Sequence, residues 1–68
     1  MTVRELLAPA ELCGVDIVFC ARDGYRLDTI YSYQLKHILE ENTNEYLDMQ
    51  VHRYSFYYQQ IIYFYIYI

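Results

Sequence analysis

The side chains with which this chain could do chemistry are few: Asp16, Asp23 and Asp28, the two histidines His37 and His52, and the two cysteines Cys13 and Cys20. Acid–base catalysis needs two carboxyl groups held together in a cleft. Here Asp23 precedes Gly24 in a pair that reads as a turn, and Asp28 stands two residues from Arg26, the pattern of a solvated strand face. His37 falls on the polar side of a helical pattern and His52 within a strand pattern, so only the tertiary fold could bring them together. A structural zinc ion takes four ligands at tight spacings. Cys13 and Cys20 have six residues between them and no histidine near them, and Cys20 reads as a small core filler. The reading is of a non-enzymatic protein, with no catalytic, metal-ligating or cofactor-binding residue assigned.

Two other features point to contact with a partner. The fifteen residues from Tyr54 to Ile68 carry no charge and hold six of the ten tyrosines. Their closing alternation puts Ile62, Phe64, Ile66 and Ile68 on one side of a strand and Tyr63, Tyr65 and Tyr67 on the other. One side closes a core. The other is a tyrosine ladder, extended by Tyr54 or Tyr57 across a hairpin, and tyrosine suits interfaces because a large ring carries a polar tip. It reads equally well as rings that cover the sheet with their hydroxyls in water. The second feature is the run Glu40, Glu41, Glu45 and Asp48, with no basic residue between Lys36 and Arg53. Acids at a helix C-terminus oppose its dipole at about 0.3–1 kcal/mol each. They read either as a solvated helix end or as a patch complementary to a basic groove.

These residues need elements to hold them. Thr2 and Glu5 form a capping-box pattern, with Val3, Leu6 and Leu7 on one helical face. Pro9 is expected to interrupt that helix, although Ala10 to Leu12 could add a second turn before Gly14 stops it, for about two turns or a little more. Val15 to Ala21 reads as a strand with Val15, Ile17 and Phe19 on one face. Asp23-Gly24 suggests a type I′ hairpin turn into Tyr25 to Tyr31. Ser32 is the expected cap of a second helix bearing Leu35, Ile38 and Leu39. Asn42-Thr43-Asn44 follows as its exit loop, and a local turn at Tyr46-Leu47 tucks Leu47 under the helix. Gln50 to Tyr57 and the terminal segment make a second hairpin with its turn at Tyr58-Gln59-Gln60, preferred over one overlong strand from Tyr54 to Ile68. The expected fold class is α+β, in the order α-β-β-α-β-β: a four-stranded antiparallel sheet with two short helices packed on one face.

Sixty-eight residues make one domain, 1–68, of marginal stability by itself. A homodimer, formed sheet on sheet or by edge pairing of the terminal strand, would relieve both that and the tyrosine face. The net charge of −4 and the scatter of Arg4, Arg22, Arg26, Lys36 and Arg53 along the chain disfavour nucleic acid as a partner. No secretion signal opens the sequence and the apolar tail is too short for a bilayer helix, so reduced thiols and no membrane partner are expected.

The opening Met1-Thr2-Val3-Arg4-Glu5-Leu6-Leu7, the strand Val15 to Phe19, the turn Asp23-Gly24, the segment Glu45-Tyr46-Leu47-Asp48 and the Ile/Tyr-rich final strand together resemble short phage, prophage and mobile-element proteins of Gram-positive bacteria. Most of the chain is covered, by motifs that are structural and common, in a group largely uncharacterised. The density of tyrosine near the C-terminus departs from the group's usual look. The resemblance implies a setting in which very small acidic proteins are often inhibitors of host defence, such as anti-CRISPR proteins. The partner it implies is a host protein, a Cas nuclease, and the location the host bacterial cytoplasm. It carries over no residue-level role. The partner-binding residues expected on physical grounds are Tyr63, Tyr65, Tyr67 and Tyr57, with Glu40, Glu41, Glu45 and Asp48. The alternatives are a small nucleic-acid-binding or nucleic-acid-acting protein, stacking bases on its tyrosines and using Arg22, Arg26 and Arg53, and a structural phage accessory protein.

Overall fold

The structure, a computed structural model, describes residues 1–57 and 60–68, and of residues 10–13, 56 and 57 only the backbone. The element order is α1 (Val3–Cys13), β1 (Asp16–Ala21), β2 (Arg26–Ile30), α2 (Ser32–Glu41), β3 (Val51–Tyr57) and β4 (Ile61–Ile66). The fold is α+β.

Helix α1 starts where the Thr2/Glu5 pattern places it. The Thr2 amide donates to Glu5 Oε1 at 3.0 Å and the Glu5 amide to Thr2 Oγ1 at 3.4 Å, so two end amides find acceptors reciprocally. The amides of Val3 and Arg4 donate to the carbonyls of Met49 and Leu47, which fixes the helix against the loop before β3. The helix does not break at Pro9. It runs eleven residues, through the proline to Cys13. Proline removes a single amide donor and its φ suits a helix, while the buried Val3 and Leu7 hold the segment to the sheet. Gly14, at φ +65°, supplies the left-handed residue that ends it.

The hairpin between β1 and β2 corrects the type I′ expectation. Gly24 has a φ of +95° but Asp23 is not in the left-handed region. The Gly24 amide donates to the Ala21 carbonyl at 2.9 Å, the Ala21 amide to the Tyr25 carbonyl at 2.8 Å, and the Tyr25 amide to Asp23 Oδ1 at 3.0 Å. This is a three-residue loop closed by a left-handed glycine. The aspartate side chain satisfies the backbone locally, so only one residue needs positive φ.

The four strands lie in the order β2-β1-β4-β3. β1 pairs with β2 antiparallel and β3 with β4 antiparallel, but β1 and β4 run parallel down the middle. The sheet is therefore mixed and not antiparallel throughout. Burial gives the reason. DIVFCA and IIYFYI are the two most apolar strands, and both are placed where neighbours cover them on each side. RLDTI and VHRYSFY carry Arg26, Asp28 and Arg53 and take the edges, where polar side chains blunt unwanted pairing. The second hairpin thus inserts its last strand beside β1, and two strands whose chain directions agree become neighbours. β4 is internal, which closes the route to a dimer by edge pairing of the terminal strand.

Val3 and Leu7 of α1, Leu35 of α2 and Leu47 of the following loop join Ile17, Phe19, Ile30, Ile62, Phe64 and Ile66 in one core cluster. Both helices therefore cover the isoleucine side of β4. Helix α2 ends at Asn42 (φ 55°, ψ 44°), the left-handed asparagine expected of the exit loop. Leu47 is fully buried, as the turn at Tyr46-Leu47 required. The hairpin turn assigned to Tyr58-Gln59-Gln60 lies outside the described residues except for Gln60, which has a φ of +62°.

Candidate binding face

On the side of the sheet away from the helices, register places side chains in cross-strand rows. Thr29, Val18, Tyr63 and Ser55 form one row across β2, β1, β4 and β3, and Arg26, Cys20, Tyr65 and Arg53 form the next. Tyr67 follows just beyond β4, with Arg22 and His52 about it. Val18 and Cys20 are only 5% and 4% exposed on this helix-free side. What covers them is the row itself: Tyr63 and Tyr65 stand beside them on β4, and both tyrosines are half-buried. The tyrosine side therefore closes a thin second apolar layer and is still the outer surface of the molecule.

Arginine completes that surface. The Arg53 guanidinium lies 4.3 Å from the Tyr65 ring centroid and the Arg22 guanidinium 5.2 Å from that of Tyr67, within cation–π range. Tyr67 is 48% exposed. Its hydroxyl is 2.8 Å from His52 Nδ1, and the two rings meet edge to face at 5.1 Å. Arg26 holds Thr29 Oγ1 through Nε at 3.2 Å and Nη2 at 2.5 Å. Burial pushes the Cys20 thiol above its usual pKa, and the nearby Arg26 offsets only part of that. The cysteine stays protonated and acts as packing.

The acidic residues stand elsewhere. Glu40, Glu41, Glu45 and Asp48 are exposed at the end of α2 and in the loop after it, on the helix side. Asp48 is not part of a bare patch, because α1 brings Arg4 to it: Arg4 Nε is 3.0 Å from Asp48 Oδ1, and Arg4 Nη2 also reaches Asn42 Oδ1. The hydrogen bond from Arg4 holds the Asp48 carboxyl below its usual pKa. Burial raises the Tyr46 phenol, with the Glu45 carboxylate adding to it. Tyr46 stacks on Phe19 at 5.1 Å and belongs to the packing of the loop.

The structure thus brings Tyr63, Tyr65 and Tyr67 together and leaves the four acids across the sheet from them. Tyr54 is not in the ladder; it pairs with Phe64 on the helix side, ring centroids 6.3 Å apart. The side chain of Tyr57 lies outside the described residues. Among the candidate catalytic groups, Asp16 is structural, since its Oδ1 accepts the Ser32 amide at 2.7 Å. That amide opens α2, so a carboxylate from β1 serves the helix N-terminus in place of the expected Ser32 side chain, and Tyr31 is the N-cap residue. His37 is on α2 and His52 on β3. Among the described residues, no three His, Cys, Asp or Glu side chains converge as metal ligands would.

Comparison with known protein families, with characterised proteins and with solved structures found no match. The face has to be read on its own chemistry.

Sequence reasoning grouped Arg22, Arg26 and Arg53 only in its nucleic-acid alternative, without the placement that puts them on one face. They are scattered in the chain, and only the β2-β1-β4-β3 order sets Arg26 and Arg53 at the two ends of one row. No helix of the described residues is long and apolar enough to cross a membrane.

Proposed function

We propose that this chain is a non-enzymatic binding protein whose outer sheet face, built on Tyr63, Tyr65 and Tyr67, is its contact surface. The observation that carries the reading is the lateral order of β4. Its isoleucines and phenylalanine complete the core while its tyrosines remain on the side that no helix covers. Rings stiffened by arginine and histidine neighbours lose little side-chain freedom on binding, which favours them as anchors.

The resemblance to phage and mobile-element proteins supplies the proposed setting: inhibition of a host defence factor, with a Cas nuclease as target, in the bacterial cytoplasm. Glu40, Glu41 and Glu45 lie across the sheet from the tyrosines, so they do not steer a basic target onto this face. They are not a continuation of the tyrosine surface. A sheet-on-sheet homodimer would gather six arginines in one interface, so the reading favours a different partner chain over a second copy.

Replacing Tyr65 and Tyr67 together by Ser should abolish capture of the host factor from lysate by the fraction that circular dichroism shows folded, since Tyr65 also covers Cys20 and its loss costs stability. Capture that survives the double substitution removes the face from the function. A wild-type mass twice that of the monomer, halved by the substitution, assigns the face to self-association.

A further inference from the structure

We infer that the outer sheet face takes single-stranded nucleic acid, with bases against its rings and phosphates on Arg22, Arg26 and Arg53. The inference rests on the reading of this face as the contact surface and gives it a second ligand beside the protein partner. Its first ground is charge. The chain carries a net charge of −4, yet three of its five cations converge here. Among the described residues the one ion pair is Arg4–Asp48, on the helix side, so within that set none of these three guanidiniums is in an ion pair. Three acids adjoin the rows along the chain: Asp16, committed to the α2 amide; Asp23 at the hairpin tip, bonded to the Tyr25 amide; and Asp28, between Arg26 and Thr29, which pairs with Phe19 in register and accepts from the Thr29 amide and Asn44 Nδ2.

The second ground is spacing. Tyr63 and Tyr65 stand two residues and about 6.6–6.8 Å apart along β4, twice the ~3.4 Å rise of stacked bases, and Tyr67 follows two residues on, just beyond the strand. A strand laid along β4 would have its bases separated, each meeting its own ring or guanidinium plane. Arg26 and Arg53 end a row three inter-strand spacings wide, roughly 14 Å, and so flank the ring line on both sides where a phosphate backbone would pass. An acidic peptide could use the cations but would leave the rings without flat partners. A duplex is read through its grooves by a protruding helix or ribbon, and this surface is a sheet.

The test is fluorescence anisotropy of the full chain with a labelled oligothymidine. Three phosphate contacts on a single strand predict an affinity falling roughly 20-fold between about 50 and 200 mM salt. In Arg26→Gln/Arg53→Gln the slope of log affinity against log salt should drop to about a third, with circular dichroism reporting the fold. Arg22→Gln, at an exposed turn, serves if the double variant does not fold, and should remove about a third of the slope. Absence of binding at the lowest salt, equal binding of duplex, or unchanged affinity in the arginine variants overturns the inference. Displacement of the oligonucleotide by an equal concentration of a glutamate-rich peptide also overturns it, in favour of an acidic protein. None of these results touches the tyrosine-dependent capture of a host factor, so the two readings fail separately.

Discussion

Asp16 shows how far a single residue's meaning depends on where the chain puts it. In sequence it is one of three aspartates near a hairpin; in the fold its carboxylate accepts the first amide of a helix sixteen residues away. That bond joins β1 to α2 and places negative charge at the positive end of the helix dipole. Replacing Asp16 by Ala should cost about 0.5–2 kcal/mol, the usual range for losing a helix cap. Urea denaturation would show it as a lower midpoint with an unchanged slope. A loss within a few tenths of a kcal/mol would mean that water replaces the carboxylate. Arg4 carries the same lesson. Counting basic residues between Lys36 and Arg53 missed it because the cation that meets Asp48 comes from the other end of the chain.

Among the elements, β4 decides the most. Its alternation was legible, and so were its two faces: Ile62, Phe64 and Ile66 are in the core and the tyrosines are opposite. Its neighbours were not, since side-chain periodicity says which face is buried and nothing about which strand lies alongside. The observed parallel pairing of β1 with β4 predicts a distinctive exchange pattern. Backbone amides of Ile17 to Cys20 and Ile62 to Tyr65 should be the slowest to exchange with deuterium, while those of β2 and β3 that face outward exchange through local opening. An antiparallel meander with β4 at an edge would expose half of the β4 amides instead, and fast exchange there would contradict the mixed sheet. The α1 proline gives the opposite lesson. A local rule forecast a break, but packing of Val3 and Leu7 outweighed the loss of one hydrogen bond.

For the whole molecule, the N-terminal segment is held by polar contacts that respond to acid. Glu5 sits below its usual pKa, chiefly through the Thr2 amide, and Asp48 does so through Arg4. Carboxyls with folded-state values below the unfolded ones contribute stability that is fully present above the ordinary carboxylate range, near pH 4. It is lost as pH falls through the folded values. The thermal midpoint should therefore be flat with respect to these groups above about pH 5 and decline below about pH 4. In the Glu5→Gln/Asp48→Asn variant that part of the decline should disappear. An identical acid limb in the variant would place the sensitivity elsewhere.

Local rules determined the start of α1, the left-handed Asn42, the hairpin position at Asp23-Gly24 and the division of β4 into an aliphatic and a tyrosine side. Each depends on residues within a few positions of one another, where backbone geometry and amphipathic spacing act directly. Only the tertiary structure decided the mixed strand order, the arginine ends of the Cys20–Tyr65 row and the separation of the acids from the tyrosines. Those depend on which strands become neighbours. That choice is made by the summed burial of β1 and β4 at the sheet centre, a property of the whole chain that no local window contains.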